Sequence, residues 1–472
     1  MVLIFLNYKE RYKPINFSKT VNKKHLLLGL FLSLTAGSSF AQNQPQAGTT
    51  LSLKEALTFA TANNISIQQS QLDEQGAEYK IKETKGSGLP QINGTGQLTV
   101  SPSIPTQLLP GEIIGEPGTY VPVKFGQKYN ATGGLELSQL IFSKSYFVGL
   151  EAAATTRDLY RLRTQMSKED VLYNVSSAYL QALQTKEQFN TIAANYNRLV
   201  QLEKILTLQY KNDFAKKVDV NRITVNKTNL ENQREALAST YEQQKNALKF
   251  FMGMPMDQPI ELEESTTLVT TVLPLTANAN EVLANRADFK ALQTQKNLYG
   301  LNISNIKGRA YPTLAGFGQY SYNAQRQEFN LFDTSQPWFN TFVLGLKLNV
   351  PIFDGFQRKY QTRQAELEVK KTDLSIQNLT LNTQMSLDNA LKQISTSELS
   401  IENQERNVRM AQEVYDTTNK LYKEGLSPLT DLLDAEVALR EAQTNVNNER
   451  LKHKIAQLNY LKARGELSNL VQ

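Results

Sequence analysis

The chain repeats itself, and this internal duplication limits its folds more than any other feature. Three pairs of segments carry the repeat: GTGQ at 94–97 and GFGQ at 316–319, LELSQLIF at 135–142 and LKLNVPIF at 346–353, and YKNDFAKKVD at 210–219 and YKEGLSPLTD at 422–431. The pairs follow one order along the chain and need a single length change, which falls between Gln97 and Leu135. We therefore predict two copies of one structural unit, the first with a longer loop.

Each copy has the same predicted order of elements, an internally duplicated α+β plan. The unit consists of a helical stretch, two short strands, a very long helical stretch, a break and a shorter helix. In the first copy the helical stretches and strands lie at about 52–86, 91–101, 130–138, 144–212 and 217–252. In the second copy they lie at about 279–309, 313–322, 342–350, 355–424 and 428–464. The boundaries are a first repeat at 42–252 with its strand pair at about 90–142, a linker at 253–278, and a second repeat at 279–472 with its strand pair at about 311–353. A glycine and three prolines interrupt helix formation in the linker.

Residues 1–41 are typical of an export signal. Three lysines precede the apolar run LLLGLFLSLTA at 26–36, and small residues lead to Ala41. The run is too short to span a bilayer, which needs about 20 residues, so we predict a signal peptide that is cleaved before Gln42. The full chain has 51 Lys/Arg and 45 Asp/Glu, and the signal contains six of the basic residues and one of the acidic residues. The mature chain therefore has 45 Lys/Arg and 44 Asp/Glu. A nearly neutral mature chain argues against a nucleic-acid partner.

The four predicted strands alternate with a period of two. The apolar residues fall on one face: Ile92, Leu98, Val100, Leu135, Leu137, Phe342, Leu344, Leu346 and Leu348. A half-buried antiparallel sheet of a soluble protein alternates in the same way. Strands of a membrane barrel are favoured instead by a length of about 10 residues and by aromatic residues near the strand ends, namely Tyr129, Tyr320, Tyr322, Trp338 and Phe339. The third strand is the least regular, because Phe317 falls on the polar face.

Four strands per chain cannot close a barrel. Lipid does not tolerate open sheet edges, and bacterial barrels have at least about 8 strands. We therefore predict an oligomer. Two copies would supply eight strands around a filled interior, and three copies would supply twelve strands, enough to leave a pore.

The long helices exceed the size of a globular domain. The stretch 355–424 would extend about 105 Å as one helix. It carries an apolar stripe with a seven-residue repeat: Leu387, Ile394, Ile401, Val408, Tyr415 and Tyr422. The stretch 144–212 carries a matching set near its end: Phe189, Ile192, Tyr196, Leu199, Leu202, Ile205 and Leu208. This pattern predicts helices supercoiled side by side, either in the wall of a water-filled channel or in an ordinary coiled-coil rod.

The composition excludes several classes of enzyme and metalloprotein. The chain has no cysteine and only two histidines, His25 and His453. These counts rule out thiolate nucleophiles, disulfides, Cys-ligated metals and multi-histidine metal sites. The sequence has no phosphate-binding loop, and no pair of acids falls within a globular pocket. We predict that the chain is not an enzyme and has no catalytic residue, no cofactor and no metal site.

These segments resemble the TolC family of outer-membrane efflux proteins. The resemblance covers roughly 51–468 and rests on the duplication and on LSLKEALTFATANN at 51–64, Leu89-Pro90, Tyr311-Pro312, VPIFDGF at 350–356 and YKEGLSPLTDLLDAE at 422–436. It implies a homotrimer with a twelve-stranded β-barrel in the outer membrane, a helical barrel through the periplasm, and an equatorial region that contains the linker. It also implies contact with outer-membrane lipid and docking to a periplasmic adaptor and an inner-membrane pump.

The resemblance also implies a gate at the periplasmic tip of the helices. Its residues here are Tyr422, Asp431 and Asp434, with Asp219 as the first-repeat match of Asp431. Asp431 and Asp434 are three residues apart, so both can face one direction, and three copies would stack their carboxylates in rings. Alternatively, acids in the first turns of a helix simply complement its dipole.

Two positions differ from the family pattern at this tip. Arg222 stands in the first repeat where the second has Asp434, and Ser427 stands two positions after Gly425, where the family often has a basic residue. The charges that would hold a closed tip therefore differ here from those of the family.

Two further charged residues, Glu136 and Lys347, are equivalent in the two repeats and fall on the predicted polar face of the strands. In a barrel this face lines the lumen. The two side chains are either solvated lumen charges, which we favour, or members of an ionic ring across the lumen.

The predicted function is that of an export channel. Such a channel conducts small toxic molecules, or proteins, passively from an inner-membrane pump and a periplasmic adaptor to the exterior, as in multidrug efflux or type I secretion. The energy must come from the partners, since the chain has no nucleotide-binding motif. The alternative is a coiled-coil structural or interaction protein of the cell envelope without a transport role.

Overall fold

In the computed structural model, residues 50–115, 117–263 and 279–471 are described. The predicted signal peptide lies outside the described residues, as does 264–278 of the predicted linker. The helices are α1 (Leu53–Asn63), α2 (Ile65–Gly86), α3 (Lys144–Lys211), α4 (Lys217–Met252), α5 (Ala279–Asn285), α6 (Ala287–Gly308), α7 (Gln357–Lys423) and α8 (Leu429–Arg464). The strands are β1 (Thr50–Leu51), β2 (Gln91–Val100), β3 (Thr106–Pro110), β4 (Tyr120–Lys124), β5 (Tyr129–Phe142), β6 (Glu261–Leu262), β7 (Thr313–Arg326) and β8 (Phe339–Asn349).

The long helices confirm the predicted bounds to within two residues. The α3 helix has 68 residues and α7 has 67, and each is followed by a 36-residue helix, α4 or α8. No helix in the described ranges is long and apolar enough to span a bilayer.

The first helical stretch of each repeat is confirmed in its bounds, but each stretch is interrupted once, which was not predicted. The chain breaks at Asn64 (ψ 130°) and again at Arg286 (ψ 135°), so α1 and α2, and likewise α5 and α6, are separate helices. The Oδ1 atom of Asn64 accepts hydrogen bonds from the backbone nitrogens of Ser66 (2.8 Å) and Ile67 (3.3 Å), which starts α2. The apolar pattern continues across both breaks, so periodicity alone did not reveal them.

Four long strands form one antiparallel sheet in the order β2-β5-β7-β8, and β2 and β8 form its edges. The register aligns the apolar positions of all four strands on one face, for example Ile92 opposite Leu137, and Gly318 opposite Leu344. The predicted alternation is therefore confirmed. Phe317 does lie on the polar face, where its ring fits over Gly345, since a Cβ on that glycine would lie 2.7 Å from the ring.

Two small sheets lie outside this main sheet and were not predicted. In the longer loop of the first repeat, β3 and β4 form an antiparallel hairpin. In the other small sheet, β1 pairs in parallel with β6, which ties the start of the first repeat to the start of the linker. The hydroxyl of Tyr179 on α3 donates to the carbonyl oxygen of Leu51 (2.9 Å) beside this pair. Around it lies the largest apolar core, which includes Leu57, Ile67, Leu248 and Met252.

The helices pack in a single row. Next to the main sheet the order of contacts is α2–α3–α6–α7, and farther along the long helices it is α4–α3–α8–α7. The predicted stripe on α7 is buried or half-buried along its length, which confirms it. The stripe on α3 was wrong at Ile205 and Leu208, which are about half exposed, while Leu206 is buried at 2%. The row has α2 or α4 at one edge and α7 at the other.

Candidate functional site

The site begins at two equivalent turns, one at the end of each long helix. The backbone turns at Asp213 (φ 61°) and at Gly425 (φ 74°), both in the left-handed region. The next backbone nitrogens close the same hydrogen bond, from Phe214 to Gln209 (2.8 Å) and from Leu426 to Leu421 (2.9 Å). The repeats therefore end their long helices with one geometry. Each turn also presents an exposed apolar side chain.

An apolar cluster behind the turns fixes their positions. Buried side chains of α3, α4 and α8 form it: Ile192, Leu199, Leu206, Ile223, Leu230, Leu429 and Leu433. Because these residues belong to both repeats, the cluster holds the α3–α4 turn of the first repeat against the start of α8. Tyr422, in the last turn of α7, packs against the same cluster.

Tyr422 and Asp219 are brought together by this packing. Burial raises the pKa of the Tyr422 phenol, and the negative charge of Asp219 raises it further. Asp219 lies in the first turn of α4, so the pair joins the second repeat to the first. Two of the predicted gate residues are thus within electrostatic reach of each other in one chain.

The other two predicted gate residues, Asp431 and Asp434, are exposed on the first two turns of α8. The hydroxyls of Ser427 (3.1 Å) and Thr430 (3.3 Å) donate to the carboxylate of Asp431. Ser427, which stands where the family often has a basic residue, therefore acts as a hydrogen-bond donor at the start of α8. In residues 50–115, 117–263 and 279–471, no group of three or more His, Asp or Glu could hold a metal ion.

A buried carboxylate lies two residues beyond Asp434, and the sequence analysis missed it. Glu436 on α8 is only 5% exposed, and its Oε1 atom has no hydrogen-bond partner. Burial raises the pKa of Glu436 to about 7, against the opposing effect of Arg198 and Arg440. The guanidinium of Arg198 lies 5.3 Å from the ring of Tyr415. A signal was present, since Glu436 lies seven residues after Leu429 in the apolar register of α8.

Polar contacts continue along the whole α3–α8 seam. The hydroxyl of Tyr173 donates to Asn459 Oδ1 (2.8 Å), and Gln184 Nε2 donates to Asn448 Oδ1 (2.6 Å). The α3–α4 seam within the first repeat also contains polar contacts, since Lys227 on α4 pairs with Glu203 on α3 (2.7 Å). Polar side chains thus contribute to the contact between the repeats, and Glu436 belongs to it.

Glu136 and Lys347 both lie on the polar face of the main sheet, as predicted. The register places Glu136 opposite Gln319 and Lys347 opposite Ala315, four residues apart on β7. Within the described part of the chain, neither side chain forms an ion pair with the other.

Comparisons with known proteins agree with this architecture. Residues 278–466 match the family model described as "Outer membrane efflux protein". Among curated relatives, nodulation protein T of Rhizobium leguminosarum bv. trifolii is 21% identical over 390 residues, which cover 82% of this chain and 79% of that protein. Outer membrane protein TolC of Salmonella enteritidis is 22% identical over 462 residues, which cover 94% of this chain and 86% of TolC.

Solved structures share the fold at low sequence identity. The outer membrane protein VceC of Vibrio cholerae aligns with a TM-score of 0.69 at 16% identity, over 88% of this chain and 96% of VceC. The CmeC outer membrane channel of Campylobacter jejuni aligns with a TM-score of 0.72 at 16% identity, over 88% of this chain and 85% of CmeC. Together, the family match over residues 278–466 and the relatives confirm the resemblance of this chain to the outer membrane efflux proteins, among them TolC.

Proposed function

We propose that this protein is the outer-membrane channel of a tripartite efflux or secretion system. It conducts substrates passively from an inner-membrane pump and a periplasmic adaptor to the exterior. The open edges of the main sheet and of the helix row support this proposal most directly.

The main sheet has the amphipathic character that a barrel wall needs. Large apolar side chains such as Ile92, Leu344 and Leu346 are exposed on one face, and polar side chains cover the other. The edge strands β2 and β8 each pair on one side only. In lipid each unpaired backbone group costs several kcal/mol, so β8 of one copy pairs with β2 of the next. Three copies close a twelve-stranded barrel whose lumen contains Glu136 and Lys347.

The helix edges carry matching apolar stripes. Exposed residues recur at seven-residue spacing: Ile65, Leu72 and Tyr79 on α2, and Leu367, Leu374 and Leu381 on α7. The α2 helix runs towards β2 and α7 runs away from β8, so pairing of the strands brings the two helices together antiparallel. Ile65 then meets Leu381, Leu72 meets Leu374, and Tyr79 meets Leu367. The same contact repeated head to tail closes a ring and continues the barrel as a helical tunnel.

The tunnel narrows at the turns, which form its periplasmic entrance. Tyr422 and Asp219 link the two repeats of one chain at this point, and Asp431 and Asp434 add exposed carboxylates. Three copies bring six of these carboxylates towards one axis, where they attract cations. The linker at 253–278 lies in the equatorial region, and the mature chain starts near Gln42.

Cysteine cross-linking tests the proposed ring directly, because the native chain has no cysteine. A chain with Ile65→Cys and Leu381→Cys should form disulfide-linked trimers upon oxidation in outer-membrane vesicles. Ile65→Cys with Leu399→Cys is the matched control, since Leu399 is equally exposed on α7 but 18 residues farther along. A purified protein that is a stable monomer in detergent and conducts no current in a planar bilayer would contradict the channel.

A further inference from the structure

A collar of positive charge surrounds the junction between the main sheet and the helices. We define this junction collar as residues 80–90, 143–150, 304–312 and 350–363, where strands and helices meet. These segments contain nine Lys or Arg and only two Asp or Glu. The mature chain as a whole is nearly neutral, so the positive charge is concentrated here.

The opposite end of the long helices lacks this asymmetry. The two turn segments, 204–222 and 416–434, contain seven Lys or Arg and six Asp or Glu. Both ends are exposed, so solubility alone would not place a strong excess of one charge at one end only. The excess therefore indicates a partner of opposite charge next to the sheet.

Most of the basic side chains in the collar are free to meet such a partner. Six are exposed and form no ion pair within the described residues: Lys82, Lys85, Lys144, Lys307, Arg309 and Lys359. Lys85 and Lys307 occupy the same position in the two repeats, each four residues before the dipeptide that precedes a strand. Both repeats therefore contribute basic residues to the collar at an equivalent position.

Apolar side chains continue from the sheet into the collar. Leu89, Tyr311, Ile352, Phe353 and Phe356 are all more than half exposed between the strands and the helices. A surface that combines exposed aromatic and aliphatic groups with lysines is typical of contact with a membrane interface, where rings lie at headgroup level and lysines reach phosphates.

We propose that the junction collar binds the headgroups of anionic phospholipids in the membrane leaflet that faces the helices. The inference rests on the proposed function, because the sheet must be in a membrane for the collar to meet a leaflet. Each Lys or Arg near an anionic lipid surface contributes a factor of about five in affinity. Four such residues give a preference of well over tenfold, and added salt weakens it.

The test compares two charge-neutralised variants of the full-length oligomer. The collar variant has Lys85→Gln, Lys144→Gln, Lys307→Gln and Arg309→Gln. It leaves out Lys82 and Lys359, which stack on the rings of Tyr79 and Tyr360. The control variant has Lys216→Gln, Lys217→Gln, Lys423→Gln and Arg222→Gln at the turns. Both variants remove four positive charges, so they differ only in where the charge is lost.

Binding of labelled phosphatidylglycerol and labelled phosphatidylcholine is measured in neutral-detergent micelles at low and high salt. The wild type and the control variant should prefer phosphatidylglycerol by at least about tenfold at low salt, and the collar variant should lose most of that preference while remaining trimeric. Equal binding of the two lipids by the wild type overturns the proposal, even if the oligomer conducts current. Loss of binding to purified peptidoglycan rather than to lipid in the collar variant would identify an acidic polymer as the partner and overturn it too. A wild type that prefers phosphatidylglycerol yet forms no conducting oligomer contradicts the channel and supports the collar.

Discussion

The two repeats build the same joint from different side chains. In the first repeat, Asn64 Nδ2 donates to the carbonyl oxygen of Phe251 (2.7 Å) at the end of α4. In the second, Arg286 Nη1 donates to the carbonyl oxygen of Ala463 (2.6 Å) at the end of α8. Each residue interrupts the first helix of its repeat and ties the break to the last helix. Backbone geometry is thus what the repeats share, and an amide or a guanidinium can supply the donor.

The difference lies in how tightly the joint is packed. Both last helices end at a left-handed glycine, Gly253 or Gly465, each with φ 71°. A Cβ on Gly253 would lie 2.6 Å from the carbonyl oxygen of Asn63, whereas a Cβ on Gly465 would lie 3.2 Å from Cγ of Arg286. The first joint therefore has backbone against backbone, and the second has a side chain that can move.

Alanine at the two glycines should give the largest effect and should separate the two joints. Both substitutions strain a left-handed residue, at a cost of about 1 kcal/mol. Gly253→Ala should cost about 3 kcal/mol in total, because the chain must also shift backbone away from the new methyl group. Thermal denaturation of the purified oligomer measures the loss for each variant. Equal losses in Tm would show that the two joints are packed alike.

The buried carboxylate is a second asymmetry. Glu436 in the second repeat corresponds to Thr224 in the first, 212 positions earlier, and Thr224 is exposed, where its hydroxyl donates to Glu203 (2.7 Å). Burial raises the pKa of Glu436 to about 7, above the value of about 4.3 for a solvated glutamate. Glu436 therefore binds its proton more tightly in the folded protein than in the unfolded chain. The stability of the folded protein is highest below about pH 4.3 and falls as the pH rises towards 7.

Glu436→Gln should remove this pH dependence. The variant should be more stable than the wild type by about 2 to 4 kcal/mol at pH 8 and about equal to it at pH 4. Differential scanning calorimetry at a series of pH values measures the difference, with Glu441→Gln as the control that removes an exposed carboxylate from the same helix. If the difference in Tm between Glu436→Gln and the wild type is the same at every pH, Glu436 does not hold its proton in the packed seam.

The turn carboxylates are a third asymmetry, because Asp431 and Asp434 correspond to Asp219 and Arg222 in the first repeat. Two acids three residues apart attract cations more strongly than an acid and a base. Asp431→Asn with Asp434→Asn should raise the concentration of a trivalent cation that blocks the pore by at least about tenfold, or 1.4 kcal/mol. Single-channel recording in a planar bilayer measures the block, with cation added on the helix side. Asp219→Asn should change the blocking concentration less. If the double variant is blocked at the same concentration as the wild type, Asp431 and Asp434 only complement the dipole of α8 and do not bind the cation.

The sequence predicted the parts of this fold that depend on periodicity. Seven-residue stripes and period-two strands report which face is buried, so the long helices and the four-stranded sheet followed from residues such as Leu387 and Leu344. The helix breaks did not, because Asn64 and Arg286 act through hydrogen bonds to carbonyls about 180 residues away. At the candidate site, the family resemblance indicated Tyr422 and repeat matching indicated Asp219, but neither predicted that the two residues interact. Both missed Glu436, because its position in the apolar register of α8 was not used and the helix that covers it was not known.

The smallest expected effect comes from exchanging the turn residues between repeats. Asp213 holds φ 61° in the first turn, where the second turn has Gly425 at φ 74°. Aspartate tolerates the left-handed region better than most residues, but glycine occupies it without steric cost. Asp213→Gly should therefore stabilise the first turn by about 0.5 kcal/mol, since the gain is offset by the greater freedom of glycine in the unfolded chain. Gly425→Asp should destabilise the second turn by a similar amount.

Proteolysis rates at the two turns measure these changes separately. Opposite signs at the two turns are expected if both close through the same hydrogen bond, and a faster cleavage of Asp213→Gly would mean that the aspartate side chain itself stabilises the first turn.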